Sequence, residues 1–235
     1  MDICAVIGSQ SSHLKSLIHL LKIYQRKDDL ILRISFTLGN LTAKSVSARN
    51  NVFSQNKALE TILYVGKYYL DINIKTNESR KEADEKSDKA SKSEDVLIKL
   101  VRVIANLSIN EETGQAIANS DSCVRFLMKV LNTHTVQDSE ELVLNTLATF
   151  NNLAFHKGKE SSLATRQLEV AKCLLDLLNV DHIEGMTEAN RVYGNLSRDR
   201  GVRDFIVKHK GNDYERENKS FFFRFFGICL QFNKS

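Results

Sequence analysis

One short phrase recurs along this chain of 235 residues, and it constrains the fold more than any other feature. It reads Leu38-Gly39-Asn40-Leu41-Thr42, then Ile104-Ala105-Asn106-Leu107-Ser108, then Phe150-Asn151-Asn152-Leu153-Ala154, then Tyr193-Gly194-Asn195-Leu196-Ser197. The central asparagines stand 66, 46 and 43 residues apart. Self-similarity at such a period marks a solenoid, in which each unit buries its apolar face only against its neighbours. The first spacing is longer than the other two, and the excess falls in residues 77–94. There 11 of 18 residues are charged and no large apolar side chain occurs. Such a stretch buries too little surface to offset its ordering entropy. We read it as a disordered insertion between two helices of one repeat.

The repeats are helical. Leu14, Leu17, Ile18 and Leu21 follow the i, i+3, i+4, i+7 pattern of an amphipathic helix, as do Leu97, Leu100, Val101 and Ile104, and Val124, Leu127, Met128 and Leu131. Val170, Leu174, Leu177 and Leu178 give i, i+4, i+7, i+8. Composition agrees: there are 0 prolines and only 10 glycines, too few breaks for a turn-rich β fold. Each repeat divides into a short helix after the phrase (Glu112–Asn119, Gly201–His209), a strongly amphipathic second helix (Ser122–Leu131, Gln167–Leu178) and a third that ends in the phrase (Glu140–Phe155). Asp138 followed by Glu141 reads as a capping box opening that third helix. The expected architecture is all-α, a right-handed superhelical α-solenoid over residues 1–210.

The periods of 46 and 43 residues match armadillo and HEAT arrays, and the order short–second–third helix is that of the armadillo-repeat family. Further phrases sharpen the likeness: Ile34 to Lys44, Glu94-Asp95-Val96-Leu97-Ile98-Lys99-Leu100, and Arg191 to Ser197 followed by Asp204-Phe205-Ile206-Val207. Over roughly residues 12–210 the chain resembles a member of that family needed to build the axoneme of motile cilia and sperm flagella. The resemblance implies a scaffold or adaptor in the cytoplasm and the ciliary or flagellar axoneme, with axonemal or ciliary-transport proteins as partners. It also implies a groove lined by the third helices, in which an asparagine near each helix end holds an extended peptide backbone.

The groove candidates are therefore Asn40, Asn106, Asn152 and Asn195, with Phe36, Arg102 and Arg191 one helical turn before three of them; the fourth such position is Ala148. Family members that read nuclear-import signals place Trp at that position. This chain has 0 Trp, so the stacking shelf for a lysine stem is missing and a peptide receptor of the nuclear-import or signalling type is the alternative, not the first reading. Arg102 and Arg191 suit an acidic or phosphorylated partner, unless they pair with acidic neighbours in adjacent repeats.

Catalysis and cofactors find no support in the sequence. There is no GxGxxG, Walker lysine motif or HExxH, and the histidines and four scattered cysteines make no zinc pattern, so we expect neither an enzyme nor a metal or cofactor site. The net charge of +4 is too balanced to imply nucleic acid, and no apolar run approaches the length of a membrane span. The opening MDICAVIGSQ does not read as a signal peptide, and unclustered cysteines fit reduced thiols. Residues 211–235 depart from the repeat. Five Phe in the six residues 221–226 form no amphipathic stripe, which we read as an atypical tail, either read-through from a splice junction at Gly211-Asn212 or a capping helix.

Overall fold

The structure is a computed structural model and describes residues 10–80, 88–178 and 181–210. Among the described residues the chain forms α1 (Ser11–Ile23), α2 (Asp28–Lys44), α3 (Val46–Phe53), α4 (Ala58–Arg80), α5 (Asp88–Leu107), α6 (Glu111–Ala118), α7 (Asp121–Thr133), α8 (Glu140–His156), α9 (Ser162–Cys173), a turn of 3-10 helix (Asp176–Leu178), α10 (Ile183–Leu196) and α11 (Arg200–Lys210). The described residues contain no strand.

The helices that end in the Asn phrase, α2, α5, α8 and α10, stack side by side in chain order. Behind them α1, α4, α7 and α9 form a second layer, each packing on its successor. The short helices α3 and α6 contact each other along one edge, and α11 packs on α9. One apolar core runs from Leu14 to Ile206 between the layers, so the repeats share a single interior. The fit is close: a Cβ at Gly66 of α4 would stand 3.0 Å from Phe126 Cζ of α7. This is the all-helical solenoid that the period implied.

Chain reversal without proline depends on side-chain caps. Ser45, Ser120 and Ser161 accept the N–H groups of Ala48, Cys123 and Ala164 at 3.1–3.3 Å. His182 Nδ1 accepts from Gly185 N and Asp199 Oδ1 from Val202 N, both at 3.0 Å. Each cap satisfies a donor that the first helical turn leaves free.

Three expectations change. First, helix enters the charged segment 77–94 from both ends, through Arg80 and again from Asp88, and Ser93 is buried. Charge alone misreads this stretch, because Glu, Lys, Arg and Ala are all strong helix formers once a packed helix extends into them. Residues 81–87 lie outside the described residues, as does the tail 211–235. Second, the repeat that ends at Asn195 has no separate short helix. Its second helix runs over Ser162–Cys173 rather than Gln167–Leu178. It then tightens: Leu175 N bonds Lys172 O, and Leu177 and Leu178 bond three residues back as 3-10 turns. Leu174, Leu177 and Leu178 are buried all the same, which is why they carried a helical period. Third, Asp138 forms no capping box. The N-cap of α8 is Ser139 without a side-chain bond, and Asp138 Oδ2 accepts instead from Thr135 Oγ1 at 2.7 Å.

Candidate protein-binding face

Side chains at i, i+4, i+7 and i+11 lie along one face of a helix. Counting back from each phrase asparagine gives Asp29, Arg33, Phe36 and Asn40 on α2. The same steps give Asp95, Lys99, Arg102 and Asn106 on α5, Glu141, Asn145, Ala148 and Asn152 on α8, and Glu184, Glu188, Arg191 and Asn195 on α10. Every one of these sixteen positions is exposed or half-buried, while most of the intervening large apolar residues, among them Ile34, Leu38, Val103 and Val143, are buried. Because the four helices stack in order, the positions form four columns across a solvent-facing wall. The outermost column is acidic throughout: Asp29, Asp95, Glu141 and Glu184.

The asparagine column is a ladder between repeats. Asn106 Nδ2 donates to Gly39 O at 2.9 Å and to Thr42 Oγ1 at 3.2 Å, both on α2. Asn152 Nδ2 donates to Ser108 Oγ at 3.1 Å. Asn195 Nδ2 donates to Asn151 Oδ1 at 3.0 Å and to Asn151 O at 3.3 Å. Each amide thus fastens its helix end to the preceding third helix. Asn40 makes no side-chain hydrogen bond among the described residues. All four remain half-exposed, so the amide edges not used in the ladder face the wall.

The charged columns are only partly neutralised. Lys99 Nζ bridges to Glu141 Oε1 on the next helix at 2.9 Å, and Lys92 reaches Asp29 at 3.2 Å. Arg191 pairs with Glu188 one turn back on its own helix, not with an adjacent repeat. Arg33 and Arg102 have no acidic partner among the described residues. Phe36 lies between them in sequence on this face and is 50% exposed. The α2–α5 end of the wall therefore offers two unpaired guanidinium groups beside an uncovered aromatic ring.

No group of three or more His, Cys, Asp or Glu among the described residues comes together to hold a metal ion, and no described helix is long and apolar enough to cross a membrane. Cys123 is buried, and desolvation pushes its thiol up to about 12, so it holds its proton at neutral pH. Cys173 is half-buried; Cys4 and Cys229 lie outside the described residues.

No family model matches the chain. Among curated proteins it is 39% identical over 209 residues to armadillo repeat-containing protein 2 of Bos taurus, 36% over 211 residues to that of Homo sapiens and 40% over 207 to that of Mus musculus. Each match takes in 88% of this chain and 24% of the relative, so the chain spans about a quarter of the length of the relatives it matches. The chain belongs to the armadillo-repeat family. Two crystal structures of engineered proteins share the fold, at TM-scores of 0.62 and 0.53 with 17% and 16% identity. They cover 98% and 94% of this chain, and the chain covers 89% and 96% of theirs.

With the armadillo fold in place, one group of structural residues stands out that sequence reading missed. The end of a third helix is closed by a side chain from the helix that follows. Arg49 Nη1 of α3 donates to Thr42 O at 2.9 Å and Ala43 O at 3.4 Å, while its Nε donates to Asn110 Oδ1 at 2.7 Å. Arg203 of α11 does the same for Ser197 O at 2.8 Å and Arg198 O at 3.0 Å. Thr113 Oγ1 of α6 donates to Leu107 O. A cation at a helix C-terminus meets the negative end of the dipole and the last free carbonyls. Burial lowers the pKa of Arg49, whose partners are carbonyl and amide oxygens, not carboxylates. The signal was present in the sequence: Arg49 and Arg203 follow their phrase asparagines by 9 and 8 residues.

Proposed function

We propose that this chain is a non-enzymatic protein-binding scaffold that lays an extended acidic segment of a partner across the wall of third helices. We further propose that it serves assembly of the axoneme in motile cilia and sperm flagella, in the cytoplasm and the axoneme. The observation that carries the binding reading is the α2–α5 end of the wall, where Arg33 and Arg102 lack acidic partners among the described residues and stand on the same face as the exposed ring of Phe36. A charge-assisted hydrogen bond from a guanidinium to a carboxylate gains most where no internal carboxylate already occupies it. The exposed ring supplies apolar contact beside it, the combination of aromatic and Arg that concentrates binding energy in interfaces. The ciliary part of the proposal rests on the likeness of the repeat phrases to the axoneme-building member of the family.

A nuclear-import type of receptor fits less well. The position one turn before each asparagine holds Phe36, Arg102, Ala148 and Arg191, so two of four shelves repel a basic peptide. The test is affinity capture from ciliated-tissue extract with the chain and with its Arg33→Glu/Arg102→Glu variant. Loss of axonemal proteins from the variant, with an unchanged melting curve, supports the proposal. An identical captured set overturns it.

A further inference from the structure

We propose that the carbonyl ends of the third helices carry a second binding surface, for a peptide segment in which an apolar side chain precedes a carboxylate. The surface borders the wall but rests on different residues from Arg33, Phe36 and Arg102. Three apolar side chains stand exposed where one repeat passes into the next: Val46 at 58%, Ile109 at 46% and Phe155 at 58%. The backbone of each is held by the repeat that follows. Val46 O accepts from Asn110 Nδ2 at 3.4 Å, Ile109 O from His156 Nε2 at 3.2 Å, and Phe155 O from Arg198 Nη1 at 3.5 Å. These ties link the three positions into one row across successive repeats, with the main chain fastened and the side chains in solvent. Ile109 and Phe155 each follow a phrase asparagine by three residues, so the repeat itself places them. A single exposed apolar residue is ordinary, whereas a row of them on consecutive repeats makes a surface.

The charge at the Phe155 end selects the occupant. Arg198 Cζ lies 5.4 Å from the centroid of the Phe155 ring, a cation–π contact. A guanidinium stacked in this way still presents N–H groups at its edge to a carboxylate, and Arg198 has no acidic partner among the described residues. Lys157, two residues past Phe155, is half-buried. Burial and the charge of Arg198 lower its pKa, an effect that Asp199 only partly offsets. Two cations thus crowd one exposed ring, and a carboxylate between them relieves their repulsion. The segments that meet there, 157–160 and 198–204, hold five basic and three acidic residues. Of the acids, Asp199 Oδ1 is engaged in capping Val202 N and Asp204 reaches Arg200 at 3.8 Å.

The Ile109 position has the opposite sign nearby, because Glu111 and Glu112 open α6. A bound segment is therefore oriented, with its apolar side chain over Ile109 and Phe155 and its carboxylate at Lys157 and Arg198. Packed helices stand about 8–10 Å apart and an extended chain rises about 3.3 Å per residue, so the carboxylate follows the apolar residue by about three positions.

The experiment uses the full 235-residue chain and three fluorescent peptide pools that are degenerate except at two positions three residues apart. Those positions hold Leu then Asp, Leu then Asn, or Ser then Asp. Binding is read by fluorescence anisotropy, and its location by the amide chemical shifts of Ile109, Lys157 and Arg198. The variants are Phe155→Ser and Arg198→Gln at this surface and Arg33→Glu/Arg102→Glu on the wall; melting curves confirm that each folds. The Leu–Asp pool is expected to bind and to shift those three amides, with the other two pools about tenfold weaker. Phe155→Ser and Arg198→Gln should each weaken the Leu–Asp pool about tenfold, and the wall variant should bind it as the parent does. Absence of binding, equal binding of the three pools, or unchanged affinity in both Phe155→Ser and Arg198→Gln overturns the proposal. Loss of binding in the wall variant alone also overturns it, while leaving the wall reading in place.

Discussion

The asparagine ladder yields a sharp expectation because the chain contains its own control. Asn106→Ala removes two hydrogen bonds that cross from α5 to α2, at 2.9 and 3.2 Å. Thr42 is buried and donates its own proton to Leu38 O, so its oxygen is left short of a donor. A net hydrogen bond contributes about 0.5–1.5 kcal/mol, and an unsatisfied buried partner adds to the loss. Half-exposure of Asn106 lets water replace part of the interaction, so about 1–2 kcal/mol is expected. Asn40→Ala changes the same residue type in the same phrase but breaks no side-chain bond. It gains only the better helix propensity of alanine, leaving it neutral or up to about 0.6 kcal/mol more stable. The assay is urea denaturation followed by far-UV circular dichroism for both variants and the parent. Equal destabilisation by the two substitutions would refute the reasoning, since the asparagine would then serve its own helix end and not the neighbouring repeat.

Three further expectations follow from particular contacts. Gly114→Ala places a Cβ 2.8 Å from Ser108 O and 2.9 Å from His156 Cδ2, and should cost about 1–3 kcal/mol of stability. Gly194→Ala meets nothing within 4 Å inside α10 and should add about 0.5–1 kcal/mol, both read from denaturation midpoints. His134 is 4% exposed, its Nε2 lies 2.7 Å from Asn73 Oδ1, and desolvation holds its pKa below the ordinary 6.5. The unfolded chain therefore takes up this proton first. The associated stability is complete above pH 6.5 and is lost as pH falls through that value toward the folded-state pKa. His134→Gln should flatten the fall in urea midpoint between pH 7.5 and 5.5; an unchanged slope would contradict the buried-imidazole reading.

Much of the fold was legible because period and burial coincide. Leu97, Leu100, Val101 and Ile104 are all buried, and the helices expected at Glu112–Asn119, Ser122–Leu131 and Glu140–Phe155 differ from the observed ones by at most two residues at either end. The recurrence of the phrase also located the stacked face. What could not be read was partner identity. The spacing places Asn106 at a helix end, but only the stacking of α5 on α2 brings its amide to Gly39 and Thr42. Likewise only the turn at Ser45, which folds α3 back over the carbonyl end of α2, brings Arg49 to those carbonyls. The segment 77–94 misled for a different reason: charge density reports cost of burial, whereas helix continuation depends on propensity and on the packed helices that lead into it. Of the groove candidates, Phe36 and Arg102 emerge as available on the wall, whereas Arg191 is engaged by Glu188.

The central claim is that partners lie across the wall of third helices, and site-specific photocross-linking tests it most directly. A photoreactive side chain replaces Ala148, half-buried in the middle of the wall on α8, or Lys172, exposed on α9 in the layer behind. The chain is then irradiated in ciliated-tissue extract. Adducts with the same axonemal proteins from position 148 and none from position 172 are the expected result. Adducts from position 172 without any from position 148 would contradict the account, because the partner would then bind the back of the solenoid.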